Sequence, residues 1–494
     1  MLSVQIWGAC ALALFTGAEP SSTLSVVSAF EYPKQLYRVI LRNDGNAAVD
    51  FSDPRIFDRA EQALQLLWAI AEPRNVPRGG SVFVTYRLND QFELARNGSN
   101  IPHTLKMNGI EVSYDVAGQP AVTATYLVYN PADGQAYLYL RNLITSDCSV
   151  AKVTIAGTAM ELGGPVTLPA ATTNLATGAW TPPEPNEYAV PLVAVELQSP
   201  ELGSVTVPAR LFNPSHTPTI ERSELPLFIA CLSHKFSNLT EAGIRAVEHA
   251  NLEIGHVRTI KFCNVDLSGH APANFAAIAE RCRIELQTTC EDECKNGVYI
   301  PAVFRIAREI KDNVEPGIFV TILYGEFIHQ EEKSFFGLSV IRNVAYTCLA
   351  AGSKGFVLEP LTPADLPPEF QNGLNTLIEE LDRLQPLVAL SEPVDWVKAD
   401  DHAWCIPHLL MCGKEGLLLI ALPHQPAIAN TAQLAGTLCI TPPAANVALS
   451  AQAHEIGGLH ERVSIAPVDS HYEIQVSPSE DARVFLIQFQ SRNP

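Results

Sequence analysis

The sequence predicts a multidomain chain in which β-sandwich modules flank a single β/α domain, and three observations carry that expectation. The 494 residues exceed what one hydrophobic core organises, because domains cluster near about 100–150 residues. Residues 30–213, and again the chain after Pro393, alternate apolar and polar positions in short runs broken by Gly, Pro, Asn and Asp, as half-buried strands do. Between them, five apolar β-type runs alternate with amphipathic helical patterns, as in a parallel sheet covered on both faces.

The chain opens on MLSVQIWGACALALFTGAEP, with one apolar run from Ile6 to Phe15. That run is too short for a transmembrane helix, which needs about 20 residues. It has the length of a signal-peptide core, and Thr16, Gly17 and Ala18 are small enough for a cleavage site. Residues 1–18 are therefore expected to be a signal peptide, although no Lys or Arg precedes the apolar run. The protein is expected to be secreted, periplasmic or on the cell surface, with no transmembrane segment. Of the eleven cysteines, Cys10 leaves with the signal. Cys231, Cys263 and Cys348 lie in apolar runs and read as buried thiols. Cys290 and Cys294, in CEDEC, are either a local disulfide or two unrelated loop thiols, with no second pair at zinc-like spacing.

The first β module is expected over 30–114, with strands in YRVILRNDG, GGSVFVTYRL and GIEVSYDVAG. DRAEQALQLLWAIAE fits either state: its apolar positions suit a helix, yet Leu64, Leu66, Trp68 and Ile70 alternate as on a strand. The second module is expected over 115–213, where Asp133-Gly134 between YLVYN and AYLYL marks a hairpin. The Pro-rich TPPEPNEY is an internal loop. In the β/α domain, 224–390, strands are expected in 225–233, 257–266, 283–289, 317–325 and 355–360. Helical patterns separate them, and NGLNTLIEELDRLQPLV follows the last. Asn238-Leu-Thr and Asn97-Gly-Ser fit the glycosylation sequon, but a helix cap is the simpler role at Asn238. Alternation returns over 391–494 in AWCIPHLLMCG, GLLLIALP, GTLCITPP, YEIQVS and ARVFLIQFQ.

The formal charge of −20 is spread along the chain with no Lys/Arg stripe, so nucleic acid is not an expected partner. There is no Gly-rich phosphate loop, no G-x-S-x-G elbow and no H-E-x-x-H, which removes kinase, serine-esterase and zincin chemistry. No cofactor or metal is expected, and the oligomeric state cannot be read from the residues.

The run NVAYTCLAAGSKGFVLEPL, followed by LNTLIEELDRLQPLVALSEPVDWV and AWCIPHLLMCGKEGLLLIALP, resembles the last third of glycoside hydrolases with a (β/α)8, or TIM, barrel. Ala345, Leu349, Ala350, Ala351, Gly352, Lys354 and Gly355 match the small-residue helix that delivers the last barrel strand in that family. ELQTTCEDECKNG resembles the junction carrying the general acid/base, and VTILYGEF resembles the nucleophile strand. LRNDGNAAVDF with VPRGGSVFVTYRL resembles immunoglobulin-like accessory domains. The resemblance implies a TIM-barrel-like domain between immunoglobulin-like and C-terminal β-sandwich modules, acting on a polysaccharide or other glycan. A closed barrel needs eight βα units and five are legible. The domain is thus expected as a shortened barrel, an open sheet, or a barrel with strands not recognised.

In a parallel β/α domain, functional residues collect at the carboxyl ends of strands. Reading those ends in order gives His234, then Asp266 and His270, then Glu291, Asp292 and Glu293, then Tyr324, Glu326 and His329, then Glu359. Glycoside hydrolysis needs two carboxylates across the scissile bond. Glu293 is the expected acid/base and Glu326 the expected nucleophile, with Glu359 able to replace either. His234, Asp266, His270, Tyr324 and His329 are the expected substrate contacts. Against this, glutamates after strands are commonly solvated, or favour a helix N-terminus. His234, Asp266, His270 and His329 also read as a mixed metal set, the weaker alternative. A non-catalytic surface protein binding glycan or protein is the rival to the enzyme.

Overall fold

A computed structural model describes most of residues 24–212 and 368–490, and between them 229–231, 264–265, 281–286, 299–314, 320–323, 338–354 and 356–358. Three α-helices stand among thirty-two strands in the described residues.

The N-terminal module pairs β1 (Leu24–Tyr32), β2 (Leu36–Asn43), β3 (Leu66–Glu72) and β4 (Ser81–Leu88) in the order β1-β2-β4-β3. The ambiguous 58–72 stretch thus contributes a strand, because Trp68–Glu72 finds a ladder along Phe83–Arg87. Pairing with a formed neighbour overrides its helical periodicity. A second sheet, built from Arg55–Phe57, β5 (Ile101–Met107) and β6 (Ile110–Val116), shares a core with the first through Tyr37, Val39, Leu41, Val84, Leu105 and Tyr114.

The second module comprises β7 (Val122–Asn130), β8 (Gln135–Asn142), β9 (Cys148–Ile155), β10 (Thr158–Leu162), β11 (Thr173–Ala179), β12 (Leu192–Leu197) and β13 (Ser204–Pro208). The Asp-Gly hairpin forms: β7 and β8 pair antiparallel, and Gly134 adopts φ +67° while its N–H reaches Asn130 O at 3.0 Å. These strands make one continuous sheet, because β10 pairs with β9 at Thr158–Met160 and with β11 at Glu161–Leu162. The sheet curls around a single core containing Leu127, Leu138, Val153, Val195 and Val207.

The segment 224–390 supplies β14 (Ile229–Cys231), β15 (Asn264–Val265), β16 (Arg281–Leu286), α1 (Tyr299–Val314), β17 (Val320–Leu323), α2 (Leu338–Ala350), β18 (Phe356–Leu358) and α3 (Pro368–Ala389). The five strands pair parallel in the order β15-β16-β17-β18-β14.

The C-terminal module runs through β19 (Ser391–Val394), β20 (Val397–Ala399), β21 (Cys405–Cys412), β22 (Gly416–Pro423), β23 (Gly436–Ile440), β24 (Leu449–Glu455), β25 (Arg462–Val468), β26 (His471–Val476) and β27 (Arg483–Phe489). It too is one sheet, ordered β19-β21-β22-β27-β24-β25-β26-β23-β20.

Two sequence expectations are corrected here. The fold class, sandwiches flanking a TIM-barrel-like domain, does not hold: the described chain is predominantly antiparallel sheet, and its second and C-terminal modules are single curled sheets rather than separate stacked pairs. The likeness to (β/α)8 glycoside hydrolases fails as architecture for the same reason. Its parallel part has five short strands in the described residues, against the eight of a closed barrel. The helices are also committed elsewhere. Arg342 and Asn343 of α2 bond the backbone at Ala482 and Glu480, and Phe304 of α1 stacks on His408 of β21 at 4.0 Å. The small-residue and amphipathic patterns that suggested a barrel's helical ring arise partly from packing against the C-terminal sheet.

β7 and β8 are buried on both faces. Leu127, Leu138 and Leu140 enter the core of their own module, while Tyr126, Val128, Tyr137 and Tyr139 join the C-terminal core with Leu409, Leu417, Leu419 and Ile487. The Tyr139 hydroxyl accepts the Gly413 N–H at 2.7 Å and faces the carbonyls of Leu390 and Met411, the latter at 2.9 Å. A phenol suits this seam because its ring buries apolar area while its tip satisfies backbone groups.

Candidate active-site rim

The register of the parallel sheet aligns the ends of its strands. Leu358 lies opposite both Cys231 and Leu323, Leu323 lies opposite Ile284, and Leu286 lies opposite Val265. Because every pair is parallel, the chain leaves all five strands at one edge. Asp266 directly follows Val265 in the sequence, Tyr324 follows Leu323, and Glu359 follows Leu358. All eight expected site residues, Glu293, Glu326, Glu359, His234, Asp266, His270, Tyr324 and His329, lie outside the described residues, as do Cys290 and Cys294. The sheet fixes the strand ends from which these segments continue.

Around this sheet, the described charges are engaged in holding elements together. Gly352 ends α2 at φ +105°, with Ser353 N–H on Cys348 O and Gly352 N–H on Leu349 O, a Schellman closure. The next lysine, Lys354, is 3% exposed. Its ammonium donates to Val388 O at 3.1 Å and to Ser391 O, and lies 4.4 Å from the centre of the Tyr126 ring. It therefore ties the carboxyl end of α3 to the second module, where a cation complements the helix dipole. Burial pulls Lys354 down to about 8, opposed by the nearby Glu392 carboxylate. Lys311 of α1 meets the same Glu392 at 2.8 Å, both side chains being nearly inaccessible. In α2, Arg342 pairs with Glu380 of α3, whose carboxylate also accepts the Tyr346 hydroxyl at 3.0 Å. In the C-terminal module, Arg483 forks onto Glu455 at 2.7 and 2.9 Å and reaches Glu461 at 2.8 Å. Each pair spans elements distant in sequence. Where both partners are largely buried, as in Lys311–Glu392, Arg342–Glu380 and Arg483–Glu455, removing one strands the other's charge, at a cost of about 3–5 kcal/mol.

Two groups escaped the sequence reading. In the N-terminal core, His103 is 1% exposed, with Nδ1 at 2.5 Å from the Tyr86 hydroxyl, which lies 3.1 Å from that of Tyr114. Burial pulls this imidazole down to about 4, so it is a neutral core histidine near neutral pH. On the C-terminal sheet, Cys439, His471 and Glu473 bring three potential metal donors together, the one such group among the described residues. His471-x-Glu473 could have been read as one strand face. The approach of Cys439 depends on a pairing register that no local pattern reveals.

No family model and no curated protein matches the chain. Among solved structures, a GH2 β-galacturonidase from Eisenbergiella tayi bound to galacturonate aligns at 12% identity over 72% of this chain and 78% of its own, with a TM-score of 0.26. The CupB2 chaperone of Pseudomonas aeruginosa aligns at 15% identity over 36% of this chain and 93% of its own, with a TM-score of 0.13. A Salmonella enterica SafA pilin in complex with the SafB chaperone aligns at 10% identity over 39% and 97%, with a TM-score of 0.15. Scores this low carry no argument about activity. No helix among the described residues is long and apolar enough to cross a membrane.

Proposed function

We propose that this protein acts on glycans by hydrolysis at the rim where its five parallel strands end, with Glu293 as acid/base and Glu326 as nucleophile or water-activating base. Glu359 is the reserve for either role, and the domain concerned is 224–390. The observation that carries the reading is the common parallel direction and aligned register of those strands, from which the segments bearing the three glutamates depart. His234, Asp266, His270, Tyr324 and His329 belong to the same departing segments and are assigned to substrate. The apolar run Ile6–Phe15 supports export, which would place the protein among extracellular or periplasmic polysaccharides.

Two carboxylates suffice for this chemistry. One must hold a proton for the leaving oxygen, and a partly desolvated glutamate beside another carboxylate does so near working pH. The test is a screen of the full chain against chromogenic glycosides and soluble polysaccharides, alongside Glu293→Gln and Glu326→Gln. At least one substrate should turn over, with each variant slowed by about 100-fold or more. Turnover that both variants retain in full would remove these residues from the mechanism. The absence of any turnover, with glycan binding that neither variant alters, would favour a non-catalytic binding protein.

A further inference from the structure

Cys439 on β23 lies directly opposite Glu473 on β26 in antiparallel register, and His471 is two residues from Glu473 on the same strand. Side chains two apart share a face, so all three project from one side of the sheet. The other side is the core: Leu438, Ile440, Ile474 and Val476 are 0% exposed, which anchors both strands beneath the cluster. The three donor residues are half-buried, and their Sγ, imidazole nitrogen and carboxylate oxygen lie within 4.8 Å of one another. His471 Nε2 is 3.3 Å from Glu473 Oε1. Two ligands each about 2.0–2.1 Å from a tetrahedral zinc ion stand about 3.3–3.4 Å apart, so this pair already has the separation such an ion requires. The Cys439 Sγ, within 4.8 Å of both, would supply the third ligand.

We infer that Cys439, His471 and Glu473 form a binding site for a zinc-class divalent transition-metal ion. Sulfur and imidazole select a borderline-soft ion over magnesium or calcium, which take oxygen ligands. Three protein ligands on an accessible sheet face leave the fourth position to water. Binding exchanges the thiol proton for the metal, so it releases a proton to solvent. The site lies on the C-terminal module and does not depend on the glycan reading.

The experiment titrates the intact protein with zinc chloride against a competing chelator, and separately with cobalt chloride. Wild type, Cys439→Ser and His471→Ala are compared after their metal-free unfolding midpoints are shown to agree. The expected result is one equivalent bound by wild type, weakened by more than an order of magnitude in each variant. Cobalt should give a sulfur-to-metal charge-transfer band that Cys439→Ser abolishes. Zinc binding unchanged in both variants, or no binding by wild type at micromolar zinc, would overturn the assignment. Glu473→Gln provides a third reading should either first variant fail to fold, and weakened binding is expected there too.

Discussion

His103 shows how a buried polar residue here serves packing rather than chemistry. Its ring stands 5.2 Å from Tyr37 and 6.1 Å from Tyr114, edge to face, and burial pulls it to about 4, with Asp58 offsetting only part of the penalty. An unfolded histidine titrates near 6.5. Between those values the unfolded chain binds more protons than the folded one, so stability is lost as pH falls from about 6.5 to about 4. The shift corresponds to about 3 kcal/mol at the acid end. Chemical unfolding of His103→Gln should therefore decline less than wild type over that window, and parallel curves for the two proteins would show that this imidazole is not the source. Nothing local in IPHTLKM marks His103 as buried. Its strand alternation is legible, but the tyrosines that enclose it come from three other strands.

At the scale of the element, the end of α2 was readable and its reason was not. AAGSKG announces a glycine-terminated helix, and Gly352 does take the left-handed backbone. A side chain there would also collide with the Cδ of Lys311, while the Lys311 ammonium is held on Glu392. Gly352→Ala should thus lower stability by about 1–3 kcal/mol through backbone strain and this collision, read as a fall in thermal midpoint. An unchanged midpoint would mean that the closure relaxes freely. The stretch Leu66–Glu72 makes the complementary point. Its sequence satisfies two periods at once, and only its partner strand decides between them. Strand β25 (Arg462–Val468) went unrecognised because ERVSIAPV breaks its alternation with proline.

Across the whole molecule, hydrophobic patterning announced many β strands but not how their sheets would close. YLVYN and AYLYL read as ordinary half-buried strands, yet their tyrosines and leucines serve two different cores, so the second and C-terminal modules share one apolar seam. That seam, the ion pairs around Glu392 and Glu380, and the helices laid on the C-terminal sheet are long-range facts that no window of sequence contains. The apolar runs of 224–390 did disclose parallel strands, because strands covered on both faces lose their alternation. They did not disclose that the helices between them would also face another module, and the barrel that the family resemblance implied was wrong. The functional claim rests on the rim those strands create. A crystal structure that resolves Glu293 and Glu326 tests it most directly. The account predicts their carboxylates across one cleft, about 5–9.5 Å apart; carboxylates on opposite ends of the sheet, or turned apart into solvent, would contradict it.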